Sequence, residues 1–175
     1  MLSDQVTVDD VNHELSHAIA DAFGYGRGWA SVEAENEYER RLMQGERDPF
    51  VANDPTNDEY LLSHENGESV GAVPEEMETL IEETNRTWQR IQRHYQTGGV
   101  DEAEDYTIRN NYSSTGASEV FAQLNEVMQS DAPPMEPKKY ETHATLIEAY
   151  CQLFVPSEIV QGFLDDIGIQ TGDEQ

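Results

Sequence analysis

His13, Glu14, Leu15, Ser16 and His17 spell HExxH, the one run in this chain whose residue types and spacing point to a reaction. Residues four apart share one face of a helix, so both imidazoles can reach a single metal ion while the carboxylate between them points at its solvent side. Two imidazoles and a carboxylate suit Zn2+, which keeps a fourth position for water, lowers the pKa of that water and lets a neighbouring glutamate take its proton. The chemistry implied is metal-assisted hydrolysis with Glu14 as general base. Asp21, one turn beyond His17 on the same face, is placed to orient that histidine. The third ligand must come from elsewhere, and two regions offer a carboxylate. Glu37 lies 20 residues after His17, with Glu33 one turn before it, in a segment crowded with acids. Glu119 comes much later, at the start of a helix with apolar faces, followed directly by Val120, Phe121 and Ala122.

Positioning these groups is the task of the surrounding elements. Thr7 or Asp9 caps a helix that carries the motif to Phe23 and stops at Gly24, with Val11, Leu15, Ala18, Ile19 and Ala22 as an apolar stripe on the side away from the histidines. Gly24, Gly26 and Gly28 predict a turn, and residues 29–43 a second helix ended by Gly45. Residues 46–71 are rich in Asn, Asp, Pro, Ser and Gly and read as a long loop or at most a short strand pair. Pro74 opens a long helix with Met77, Leu80, Thr84, Trp88, Ile91 and Tyr95 on its core face, ended by Gly98 and Gly99. A short element over 101–109 and the polar turn NNYSSTG lead into the helix ASEVFAQLNEVM; beyond the break DAPPMEP, residues 137–154 and 157–167 read as two closing helices. The expected fold is therefore mainly α, with few or no strands, in a single domain over 1–175. His94 reads as a cation at a helix C-terminus and His143 as a core residue, while His64 has no partner at ligand spacing.

Composition narrows the partners. With 36 acidic and 10 basic residues among 175, the formal net charge is −26. Such a field repels phosphate backbones and anionic headgroups, which excludes nucleic acid and membrane surfaces. Lys138 and Lys139 are the only lysines and the acids are scattered along the chain, a pattern that resembles proteins of salt-accumulating halophiles. The expected setting is the cytoplasm of a high-salt organism or a particle assembled there. No run approaches 18 apolar residues, and MLSDQVTVDD has neither the basic nor the apolar region of a signal peptide. The lone Cys151 sits in the apolar stretch AYCQLFV and reads as a packed thiol.

Two segments resemble the lethal-factor-type gluzincin metallopeptidases. HELSHAIADAFGY, from His13 to Tyr25, is similar to that family's HExGHAxDxxxGY helix and turn, with Ser16 in place of the usual glycine. YSSTGASEVFAQLNEVM, from Tyr112 to Met128, resembles its tyrosine followed seven residues later by the zinc-binding glutamate of an ExFAE-like helix, and here 119 − 112 = 7. The QSDAPP break and the helix from Pro137 are similar to the family's closing helix. The resemblance implies a zincin-like core with His13, His17 and Glu119 as Zn2+ ligands, Glu14 as base and acid, and Tyr112 as the phenol that donates to the tetrahedral oxyanion. Residues 46–100, an acidic loop plus a long helix, then read as an insertion. Only 12 residues precede His13, so the family's upstream β-sheet, whose edge strand holds the substrate, is not expected. The function implied is hydrolysis of a peptide or protein substrate, with a protein partner supplying the substrate-binding strand. The alternative is a catalytically inactive structural module of a larger cellular or viral assembly, in which zinc serves as a staple.

Overall fold

Thr7 and Asp10 start the first helix by capping each other. The Thr7 hydroxyl accepts from the Asp10 N–H, and the Asp10 carboxylate accepts from the Thr7 N–H, both at 3.0 Å. This box opens α1 (Val8–Ala22), and Gly24, at φ 85°, ends it in the left-handed region that favours glycine. The computed structural model describes residues 7–27, 29–47, 49–64, 73–129 and 135–169. After α1 come β1 (Tyr25–Arg27), α2 (Trp29–Met43), a 3-10 turn (Asp58–Tyr60), β2 (Leu62–His64) and α3 (Glu75–Glu104). A second 3-10 turn (Asn111–Thr115) then precedes α4 (Ala117–Met128), α5 (Pro137–Thr142), α6 (Ala144–Cys151) and α7 (Glu158–Ile167). The fold is mainly α: among the described residues there are seven α-helices and one two-stranded ribbon. None of the described helices is long and apolar enough to cross a membrane.

Three elements differ from expectation. The 46–71 segment contributes a single described strand, which pairs antiparallel with β1, Tyr25 opposite His64 and Gly26 opposite Ser63. The long helix does break at Gly99 (φ 75°, ψ −165°), but the chain resumes the helix to Glu104, so the element expected over 101–109 is mostly the far side of that break. His94 spans the break: its Nδ1 lies 2.5 Å from Glu102 Oε2 and its ring stacks on Tyr106, which ties the two sides together. The single helix expected over 137–154 is split at His143 (φ −109°, ψ 25°). That side chain is buried with its Nε2 on the Thr107 carbonyl, and burial pushes the imidazole down to about 4, which keeps it neutral. The DAPP part of the proline break lies outside the described residues.

α4 is the strut of the molecule, because every residue in it except Glu126 is buried. α1 packs on one side of it and α3 on another. Trp88 and Gln92 of α3 both donate to the Ser114 carbonyl, at 3.0 and 2.9 Å, and pin the turn that leads into α4. The apolar stripe of α1 is mostly uncovered. α1 buries Ser16 and Ala20, whereas Val8, Val11 and Leu15 stand 61%, 49% and 47% exposed. α1 approaches α4 so closely that only small side chains fit between them, and Ser16, fully enclosed, turns its hydroxyl back to the Asn12 carbonyl at 2.9 Å. Val8, Val11 and Leu15 are left on the outer face, while Ile19 packs against the core.

Candidate metal centre

α1 and α4 bring together the residues that the motif kept apart from their third partner. Asn125 Nδ2 donates to the Asn12 carbonyl at 3.0 Å and fixes α1 at the residue just before His13. Glu119, in the first turn of α4, is fully buried and faces both histidines: Oε1 lies 2.9 Å from His13 Nε2 and Oε2 lies 3.4 Å from His17 Nε2. One ligand atom from each of the three residues falls within 4.8 Å of the others, a group that could hold a metal ion. Burial by itself would push the Glu119 carboxyl up, but bonds to His13, His17 and Glu35 hold it well below the usual carboxylate range. Burial likewise pulls the His13 imidazole down, and the carboxylates of Glu119 and Glu126 outweigh it and raise the ring to about 10.

Tyr112 reaches the same place from the 3-10 turn. Asn110 Oδ1 accepts from the Tyr112 N–H at 2.9 Å and from Gln123 Nε2 at 2.7 Å, so α4 fixes the turn as well as the ligand. The Tyr112 ring stacks on Tyr38 at 5.0 Å and lies 6.0 Å from the His13 ring. Burial, then the charges of Glu119, Glu35 and Glu39, push its phenol above the ordinary tyrosine range, so it stays a hydrogen-bond donor at neutral pH. Glu14 is exposed, and with His13, Tyr112, Val11 and Leu15 it lines an open cleft of about 740 Å³. His13, His17 and Glu119 therefore form one group, and Glu14 and Tyr112 line the cleft beside His13.

The other carboxylates considered do not join them. Glu33 is exposed, and Glu37 accepts from Arg40 Nε at 3.1 Å on the surface of α2. Asp21 is exposed and makes no hydrogen bond to His17, although both line one cleft. α2 instead sends in Glu35, whose carboxyl group reaches both the Tyr112 hydroxyl and the Glu119 carboxyl group and contributes to the pKa shifts of both. It lies on the helical face of Ser31, Ala34 and Tyr38, where Ser31 and Ala34 are small enough to be buried. Glu126, which contacts His13, and Arg109, which contacts Glu126, were also missed. Gly116 makes the approach of α2 possible, since a Cβ there would fall 2.1 Å from Ser31 Oγ and 3.0 Å from Ser31 Cβ. Gly116→Ala is expected to cost about 1–3 kcal/mol in a urea melt, and Ser31→Gly in the same chain is expected to restore most of it. An unchanged midpoint in the single variant would mean that the two elements do not meet this closely. No family model, no curated protein and no solved structure matches this chain.

Proposed function

We propose that this chain is a zinc-dependent hydrolase of peptide bonds, with His13, His17 and Glu119 holding the metal. The observation that carries this reading is the placement of Glu119. It arrives from 102 residues beyond His17, is enclosed completely, and divides its two oxygens between the two imidazoles. A buried carboxylate is costly, and a helix pair serving only as scaffold would place an apolar residue there. Two ring nitrogens and one carboxylate also fit zinc in number and softness. Zinc held there would supply a Lewis acid and make a water lose its proton readily to a neighbouring base at neutral pH, so that its oxygen can attack. Glu14 faces the open cleft, where it takes the proton and passes it to the departing amine. Tyr112 keeps its proton and donates to the oxyanion as the carbonyl becomes tetrahedral, while Glu35 orients the hydroxyl. The net charge of −26 fits work in molar salt.

One observation favours the structural alternative. Val8, Val11 and Leu15 leave an apolar stripe on the outer face of α1, and a partner chain in an assembly would cover such a stripe. The same partner could supply the strand that aligns a substrate. Glu14→Gln separates the readings. In molar potassium chloride both forms are expected to bind about one zinc per chain, and cleavage of a mixed peptide library is expected to fall by roughly 100- to 10,000-fold in the variant. Zinc in both forms with cleavage in neither selects the structural module, and no zinc in either removes the peptidase reading.

A further inference from the structure

Glu126 stands out on α4 as its one residue that is not buried, and it lies two turns beyond Glu119 on the same face. Its Oε1 is 3.5 Å from His13 Nδ1, the ring nitrogen that does not face Glu119. Its Oε2 forms an ion pair with Arg109 Nη1 at 3.0 Å, and the same guanidinium nitrogen reaches Asp9 Oδ2, in the first turn of α1, at 3.3 Å. The Arg109 N–H in turn donates to Gln123 Oε1 at 3.2 Å, so the arginine is fastened to α4 by its backbone and to α1 by its side chain. An imidazole presents one nitrogen to a metal only when the other carries the proton, and a hydrogen bond to that N–H sets both the tautomer and the rotation of the ring.

We infer that Glu126 is a positioning residue for the metal centre: it receives the Nδ1–H of His13 and so aims Nε2 at the site, while Arg109 holds Glu126 in place by bridging it to Asp9. This rests on His13 being a metal ligand. Arg109 has a second part in the arrangement. Glu126 and Glu119 both face the His13 ring in a chain with few cations, and the guanidinium supplies positive charge beside Glu126. His17 has no such relay from Asp21, so the support is asymmetric and falls on His13.

A clamp that merely joined α1 to α4 would affect stability without affecting the ring. The test therefore reads zinc affinity, by competition with a chelator in molar potassium chloride, together with the ring 15N resonances of His13 in the zinc-loaded protein. Glu126→Leu is expected to weaken zinc binding by roughly 10- to 100-fold and to disturb the Nδ1-protonated pattern of His13. Glu126→Gln, whose amide oxygen still accepts the Nδ1–H, is expected to keep that pattern and most of the affinity. Arg109→Met should fall between the two. If Glu126→Leu is folded by circular dichroism and binds zinc within about twofold of the parent with unchanged His13 resonances, the positioning role is wrong and the metal site stands. If the parent chain takes up no zinc, the metal reading fails and the role of Glu126 goes with it.

Discussion

Lowering potassium chloride from about 2 M to about 10 mM is expected to unfold this protein, because the Debye length grows from a few ångströms to about 30 Å. A net charge of −26 over 9255 Å² of surface leaves one net negative charge per about 360 Å², a mean spacing of about 19 Å. That spacing lies well inside the low-salt screening length and several screening lengths apart in molar salt. With about six neighbours per charge and roughly 0.2 kcal/mol per pair in water, unscreened repulsion is on the order of 10 kcal/mol, comparable with the entire stability of an ordinary domain. The ion pairs at the surface, such as Arg41 with Glu46 at 2.8 Å, are too few and too exposed to offset it. Circular dichroism melts across a potassium chloride series check this. The midpoint should climb with salt, and a matched series in sucrose should not reproduce the climb. A midpoint that stays constant from low to molar salt would show that the charge is tolerated without screening.

What the sequence made legible is local. The capping box needs only Thr7 and Asp10, three residues apart, and the end of α1 needs only Gly24. The burial of Met77, Leu80, Trp88 and Ile91 follows from their spacing along one helix. The HExxH pair is equally local, since helix geometry alone places His13 and His17 on one face. The rest depends on what lies opposite. Periodicity in α1 marks an apolar stripe but cannot say which side will be covered. That is decided by α4, which presents Glu119 and Asn125 to the polar side of α1 and leaves Leu15 outside. Glu35 illustrates the same limit. Among the many glutamates of α2 it has no distinguishing composition, and it becomes part of the centre only because Gly116 lets the small face of α2 come close. Choosing Glu119 over Glu33 and Glu37 required the resemblance, because no local rule says which distant helix will face the histidines.

Zinc uptake at pH 7 is expected to expel close to one proton from His13. In the metal-free protein Glu119 and Glu126 hold that imidazole to about 10, so the ring is protonated at pH 7, and a metal accepts only the neutral form. From this group alone, zinc affinity should rise about tenfold for each pH unit between about 7 and 9. The effect on folding has the opposite sign. A histidine whose folded pKa of about 10 exceeds the unfolded value of 6.5 contributes stability that is complete below 6.5 and is lost as pH rises through about 10. The metal-free chain should therefore weaken across that window, while the zinc-loaded chain, in which the metal takes the place of the proton, should hold. Glu119→Gln breaks both behaviours at once. It removes a ligand, so affinity should fall by more than the roughly 10- to 100-fold expected of an outer residue. It also removes the closest charge that sustains the His13 proton, so burial pulls the ring down and less proton is released for each zinc bound. Calorimetry in two buffers of different ionisation heat gives the proton count, and melts with and without chelator at pH 6.5 and pH 10 give the stability window. Zinc bound at pH 7 without proton release would show that His13 is not the charged partner of Glu119, and an affinity indifferent to Glu119→Gln would remove that residue from the ligand set.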